Sequence, residues 1–166
     1  MHAALLPSPI GPLYVEVEDG RLTRLYTDGH RLHAPADPPS EGVFGDIRRQ
    51  LDEYFAGTRT TFDLPLHEDG TAFERAVWAR LRDIPFGETT TYGEIARELN
   101  SSPRAVGRAN GRNQISIVVP CHRVIGASGS LTGYAGGLEA KRALLDHERG
   151  GSLLAGRPSG PPGVAF

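Results

Sequence analysis

Apolar and polar positions alternate early in the chain and then change period. Leu13, Val15 and Val17 alternate with Tyr14 and Glu16, so one face of a strand is apolar. Asp19-Gly20 supplies a tight turn and Leu22 to Tyr26 the return strand, which predicts a β-hairpin over residues 10–27. Pro35, Pro38 and Pro39 make 33–40 a loop. From Phe44 the period is helical: Phe44, Ile47, Leu51 and Phe55 share one face, and Gly57 follows as a C-terminal cap. A short strand is expected over Thr61–Leu66, and a domain boundary near Glu68-Asp69-Gly70.

Beyond that boundary the pattern is helical. Thr71 and Glu74 have capping-box spacing ahead of Phe73, Val77 and Leu81, and Pro85 and Gly87 stop the helix. Thr91 and Glu94 repeat the spacing ahead of Ile95 and Leu99. Ser102 caps another helix, with Pro103 at its first position, that runs to about Gly111. Two short helices joined at Asn100-Ser101 fit either a DNA-binding helix-turn-helix or a plain core pair. Ile115 to Val119 is an apolar, β-branched run leading into Pro120-Cys121-His122-Arg123-Val124. An extended loop with five glycines follows over 126–137, then a helix over 138–148 with Leu138, Leu144 and Leu145. The Gly/Pro-rich stretch 151–166 reads as a mobile tail.

A chain of 166 residues buries roughly 70% of its unfolded surface and needs no staple to fold. Its single cysteine excludes an intramolecular disulfide, and no Cys/His spacing suggests zinc. No apolar run approaches a membrane span and no secretory signal is visible, so a cytoplasmic protein is expected. The net charge of −2 conceals an asymmetry. Residues 1–70 carry 6 Arg against 12 Asp/Glu, net −6, while 71–166 carry 12 Lys/Arg against 8 Asp/Glu, net +4. Arg97, Arg104, Arg108, Arg112 and Arg123 cluster with only Glu98 against them. Such a patch suits either a polyanion on one face or a solvated helix surface.

A lone cysteine is commonly a small buried hydrophobe and occasionally a reactive thiol. At its ordinary pKa only about 3% is thiolate at pH 7, so a nucleophile needs a proton acceptor. His122 is adjacent, and His147-Glu148 offers a second pair, which makes a Cys–His–Glu relay conceivable. Neighbours in a strand point to opposite faces, so contact between Cys121 and His122 requires a turn or a bridging water.

Pro120-Cys121-His122-Arg123-Val124 resembles the active-site motif of the O6-alkylguanine-DNA alkyltransferases, the methylated-DNA–protein-cysteine methyltransferases. The resemblance covers residues 71–148. It includes Phe73, Val77-Trp78, Leu81, Ile84-Pro85, Gly87, Thr89, Tyr92-Gly93 and Ile95-Ala96. It continues through Arg104-Ala105-Val106-Gly107, Ala109 and Asn113, then Ile125-Gly126, Gly129, Leu131, Gly133-Tyr134, Gly136-Gly137, Lys141, Leu144-Leu145 and Glu148. Ser8–Pro12 and Tyr54-Phe55-Ala56-Gly57 are compatible with that family's N-terminal domain.

The resemblance implies an α/β N-terminal domain over 1–69, a small antiparallel sheet plus helix of ribonuclease-H-like type. A mostly α, winged helix-turn-helix-like domain over 70–150 would follow. It implies single-turnover DNA repair: Cys121 takes the alkyl group from O6-alkylguanine, and from O4-alkylthymine, in double-stranded DNA, with no cofactor and no metal. His122 would take the thiol proton through a water, with Glu148 orienting it and Asn113 supporting the thiol and its turn. Tyr92 would donate to the departing guanine. Tyr134 and the backbone of Ala135 would meet the O6 edge, and the carbonyls of Cys121 and Val124 the exocyclic amine. Arg104 would fill the gap left by the flipped base. Ala105 and Gly107 would let the recognition helix approach the groove, with Arg112 and Arg123 in the basic patch. Gln114 stands where proline is common in the family, which predicts a less rigid loop, and Ala135 where serine often stands.

Two other functions were weighed. A non-catalytic binder of alkylated DNA, similar to the alkyltransferase-like proteins, lacks the acceptor cysteine that this chain has. A cysteine hydrolase using Cys121 and His122 would regenerate its thiol. A fused phosphotriester-sensing domain and a membrane partner are not expected. A monomer is expected, its cooperativity on DNA left open.

Overall fold

Three antiparallel strands form the N-terminal sheet in the order β1-β2-β3: β1 His2–Leu6, β2 Leu13–Glu18 and β3 Arg21–Tyr26. The computed structural model describes residues 1–29, 32–34, 39–131, 134 and 137–150, so Ala135, most of the proline loop and the 151–166 tail lie outside the described residues. The predicted hairpin is β2–β3, turned by Asp19 (φ 50°) and Gly20 (φ 73°), the paired positive angles of a type I′ turn. Strand β1 lies outside the predicted hairpin; its signal is the alternation that buries Ala4 and Leu6.

Helix α1, Gly42–Phe55, covers the sheet with Phe44, Ile47, Leu51 and Phe55 buried as the period requires. Gly57, at φ 81°, ends it. The expected strand over 61–66 reduces to one bridge, Leu66 to Leu22. The Gln50 side chain bonds both the N–H and the C=O of Asp63, and Pro65 has no N–H for a ladder.

Helix α2, Ala72–Arg82, has the complete capping box: the Thr71 hydroxyl accepts from Glu74 N–H, and the Glu74 carboxylate from Thr71 N–H. Trp78, buried on α2, donates through Nε1 to Ala109 O at 2.9 Å and so ties α2 to the helix over Pro103–Gly111. Helices α3, Tyr92–Glu98, and α4, Pro103–Gly111, form the helix-turn-helix, with Asn100 at φ 53° in the turn. Ser102 caps α4. At α3 only half of the expected box forms: Thr91 accepts from Glu94 N–H, while the Glu94 carboxylate is taken by the Thr90 hydroxyl at 2.6 Å. Strands β4, Thr90–Thr91, and β5, Val124–Ile125, pair in parallel, and α5 spans Leu138–Glu148.

The edge of β3 joins the two halves. Leu25 N–H donates to Gln114 O (2.9 Å), and Ser116 N–H to Leu25 O (3.0 Å). One buried apolar cluster runs from Ala4 to Leu144 across both. Removing the α2 cap with Thr71→Ala is expected to cost about 1 kcal/mol, a melting-temperature drop of roughly 2–4 °C. An unchanged Tm in thermal denaturation would show that this cap does not hold α2.

Candidate active site

The segment before Cys121 is a pair of tight turns rather than a strand. Val118 N–H bonds Ser116 O, and Cys121 N–H bonds Val119 O, both at 2.8 Å, so each turn closes over three residues. The first forces Ile117 to φ 70°, a region that β-branched residues avoid at a cost of about 1–3 kcal/mol. The second is centred on Pro120 at φ −81°, ψ 67°. Asn113 clamps the loop: its Oδ1 accepts from Ile115 N–H (3.0 Å) and its Nδ2 donates to Val119 O (2.8 Å). With Leu25 bonded to both Gln114 and Ser116, the loop expected to be less rigid at Gln114 is braced from the sheet edge.

Cys121–Arg123 then form a single 3₁₀ turn, so Cys121 and His122 do not alternate across a strand. Cys121 is buried, and burial pushes its thiol pKa up. A hydrogen bond from Asn113, the Lys141 cation and Ser116 act in the opposite direction, toward the thiolate. His122 is fully buried, and burial holds its pKa below the usual value against the pull of Glu148, so the ring is neutral at rest. Its Nε2 donates to Glu148 Oε2 at 2.7 Å, which fixes the tautomer and leaves Nδ1 as the lone pair. Nδ1 has no hydrogen-bond partner among the described residues and is the one open acceptor of the ring.

Glu148 anchors this arrangement. Burial would raise its pKa, but His122 and Arg123 outweigh that and hold it well below the usual carboxylate range. Arg123 donates from Nε to Oε1 (2.8 Å) and from Nη2 to Oε2 (3.0 Å), and from Nη1 to Ile84 O (2.7 Å). Placing Arg123 in the DNA-facing patch is therefore corrected. The residue is buried, each of its three guanidinium nitrogens bonded to Glu148 or a backbone carbonyl. The sequence shows only five arginines in one basic segment; which one turns inward depends on a glutamate 25 residues away.

Lys141 lies inside the same site, unassigned by sequence reasoning beyond its match to the family pattern. It donates from Nζ to Val124 O at 2.7 Å and stands 6.0 Å from the centre of the Tyr92 ring. Burial lowers its pKa to about 8, while the nearby Cys121 pulls it up. The Val124 carbonyl expected to meet guanine thus has one lone pair occupied. The Cys121 carbonyl already accepts from Val124 N–H and from Asn110 Nδ2 at 3.3 Å. Tyr134 is buried, and burial pushes its phenol well up, followed by the neighbouring Cys121; its hydroxyl lies near Thr27 and Ser116. Ala135 falls outside the described residues.

The helix-turn-helix presents Arg97, Arg104 and Arg108 to solvent. Arg104 sits in the first turn of α4, where the helix dipole disfavours a cation by about 0.3–1 kcal/mol. Ala105 is half-buried beside it. A Cβ on Gly107 would stand 3.7 Å from the Tyr92 ring, an ordinary contact distance, so this face of α4 lies against Tyr92. Arg112 is exposed at the far end of α4 and pairs with Glu74 at 3.3 Å. The structure thus gathers Asn113, Lys141 and Tyr134 about the Cys121 thiol, with Glu148 bonded to the neighbouring His122 and Lys141 over the Tyr92 ring.

Comparison with known proteins agrees with this geometry. A family model described as 6-O-methylguanine DNA methyltransferase, DNA binding domain, matches residues 72–150. A second, the ribonuclease-like domain of the same methyltransferase, matches residues 1–67. A methylated-DNA–protein-cysteine methyltransferase of Mycobacterium tuberculosis is 48% identical over 156 residues, covering 90% of this chain and 93% of that protein. One from Methanosarcina acetivorans is 46% identical over 153 residues, covering 89% and 98%. The crystal structure of Mycobacterium tuberculosis OGT in complex with DNA superposes with a TM-score of 0.79 at 49% identity, over 90% of this chain and 93% of that one. The chain belongs to the 6-O-methylguanine DNA methyltransferase family.

Proposed function

We propose that this protein repairs DNA by moving the alkyl group of O6-alkylguanine onto Cys121, once per molecule. The observation that carries the reading is the buried thiol beside a neutral histidine whose Nδ1 is open and whose Nε2 is locked onto an ionised carboxylate. Residues 1–69 serve as the bracing domain and 70–150 as the DNA-binding and acceptor domain. A thiol that must stay reduced suits a reducing compartment, which supports a cytoplasmic location.

At rest Cys121 is a thiol, His122 is neutral and Glu148 is charged. The Sγ proton passes to His122 Nδ1 through a water, and the imidazolium is held against Glu148. Thiolate Sγ attacks the alkyl carbon in line with its bond to O6. The S–C bond forms as the C–O6 bond breaks, and the electron pair leaves on guanine, to which Tyr92 donates. The product thioether resists hydrolysis, so the thiol is not restored. The Lys141 cation beside the thiol favours the anion that attacks. Arg104, held where its own helix dipole opposes it, gains from a phosphate or from stacking in the gap of an extruded base. Ala105 lets α4 approach the groove, and Arg112 adds charge at the rim.

Peptide mapping after mixing with an O6-methylguanine duplex is expected to find one added methyl on the Cys121 peptide and none in Cys121→Ser. A wild-type Cys121 that stays unmodified overturns the proposal and leaves a damage-binding protein. Arg104→Ala is expected to slow transfer from the duplex and to reduce the salt slope of binding by about one. Transfer from the free alkylated base should be unchanged; equal losses on both substrates would place Arg104 in the fold instead.

Because Glu148 is held below its ordinary value near 4.5, it contributes stability above that pH, lost as pH falls through the folded value. Glu148→Gln is expected to be less stable at pH 7 and to lose less on acidification to pH ~3, read by urea denaturation. A parallel pH dependence in both proteins would contradict this.

A further inference from the structure

The relay does not end at Glu148. Tyr54, the penultimate residue of α1 in the N-terminal domain, is fully buried and donates from Oη to Glu148 Oε2 at 2.6 Å. That is the same oxygen that receives His122 Nε2. The contact is doubled one residue earlier on α5: His147 Nε2 donates to the Tyr54 carbonyl at 2.6 Å. Thus residue 54 holds residues 147 and 148 by side chain and main chain at once.

We propose that Tyr54 is a positioning residue for alkyl transfer, through which the N-terminal domain sets the orientation of Glu148 and hence the tautomer of His122. This rests on the assignment of Cys121 as the alkyl acceptor. Oε2 receives three donors, from Tyr54, His122 and Arg123, whereas Oε1 receives Arg123 alone among the described residues. Arg123 grips both oxygens and could hold the carboxylate in more than one rotation. Tyr54 selects the rotation that points Oε2 at His122. Its ring cannot follow a swinging carboxylate, because it is packed among Phe55 (5.0 Å), Phe62 (5.5 Å), Phe86 (5.9 Å) and His147 (4.9 Å), centre to centre. With that strut in place Nε2 keeps its proton and Nδ1 stays free for the thiol. Without it the carboxylate turns within the arginine fork, and the histidine is free to exchange tautomers.

The test uses the full chain in single-turnover transfer from an O6-methylguanine duplex. Tyr54→Phe keeps the ring and removes only the hydroxyl. Its rate at saturating duplex is expected to fall roughly tenfold to a hundredfold, as for a small misplacement of a reacting group. Duplex affinity should stay within about twofold, since no DNA-facing group changes. Nitrogen NMR of His122 should report a protonated Nε2 and bare Nδ1 in the wild type, and a tautomer mixture in Tyr54→Phe. Phe44→Leu opens the buried face of α1 away from Tyr54 and is expected to lower Tm while leaving the saturating rate alone. A Tyr54→Phe protein with wild-type rate and unchanged His122 signals overturns the proposal, as does a Phe44→Leu protein slowed to the same degree. Either result leaves the acceptor role of Cys121 standing; only a wild-type protein that fails to transfer removes that.

Discussion

The structure depends on one buried carboxylate. Burying a charge is costly unless it is paired and hydrogen-bonded on every side. Glu148 meets that requirement with Tyr54, His122 and Arg123. Each donor has a consequence elsewhere. Arg123 is withdrawn from the DNA face, and its third nitrogen fastens the end of the α2 segment at Ile84. His122 is left with a single open acceptor. Tyr54 brings the N-terminal domain into the site. A carboxylate that holds the ground state together is thereby also the group that can receive an imidazolium without itself taking a proton.

The second constraint is the loop that delivers Cys121. An apolar, β-branched run would form a strand if left to propensity, and a strand would send Cys121 and His122 to opposite faces. Two three-residue turns prevent this, at the expense of Ile117 in a left-handed conformation. Asn113 from inside and Leu25 from the sheet edge hold the turns closed. On the proposed reading the three-stranded sheet braces the loop that carries Cys121, and α1 holds Glu148 behind His122.

Where local rules decide, the sequence was legible. The Asp19-Gly20 turn, the Thr71 and Ser102 caps, the apolar face of α1 and the end of α2 all follow from residues within four positions of one another. Cys121 and His122 were legible as chemistry because they are adjacent and their types are scarce, whereas Glu148, 26 residues on, was legible through the His147-Glu148 pair and the family resemblance. What stayed hidden is set by distant partners. The strand expected over 61–66 is undone by Gln50. The second half of the α3 capping box is undone by Thr90, whose hydroxyl competes for Glu94. Arg123 looks like its surface neighbours until α5 is folded against it. Tyr54 reads as one more apolar position on an amphipathic helix, since nothing local marks its hydroxyl as the one that meets Glu148. Lys141 enters the sequence reading only as a match to the family pattern, with no role attached, yet it lies buried against Val124.

The central claim is that Cys121 is consumed rather than regenerated. It is tested most directly by incubating the protein with an excess of duplex carrying radiolabelled O6-methylguanine and following protein-bound label to completion. The expected result is a plateau at one methyl per protein molecule, with no label released and no further repair when fresh duplex is added. Label appearing as free methanol, or repair continuing past one equivalent, would contradict it and turn the thiol into a recycling catalyst.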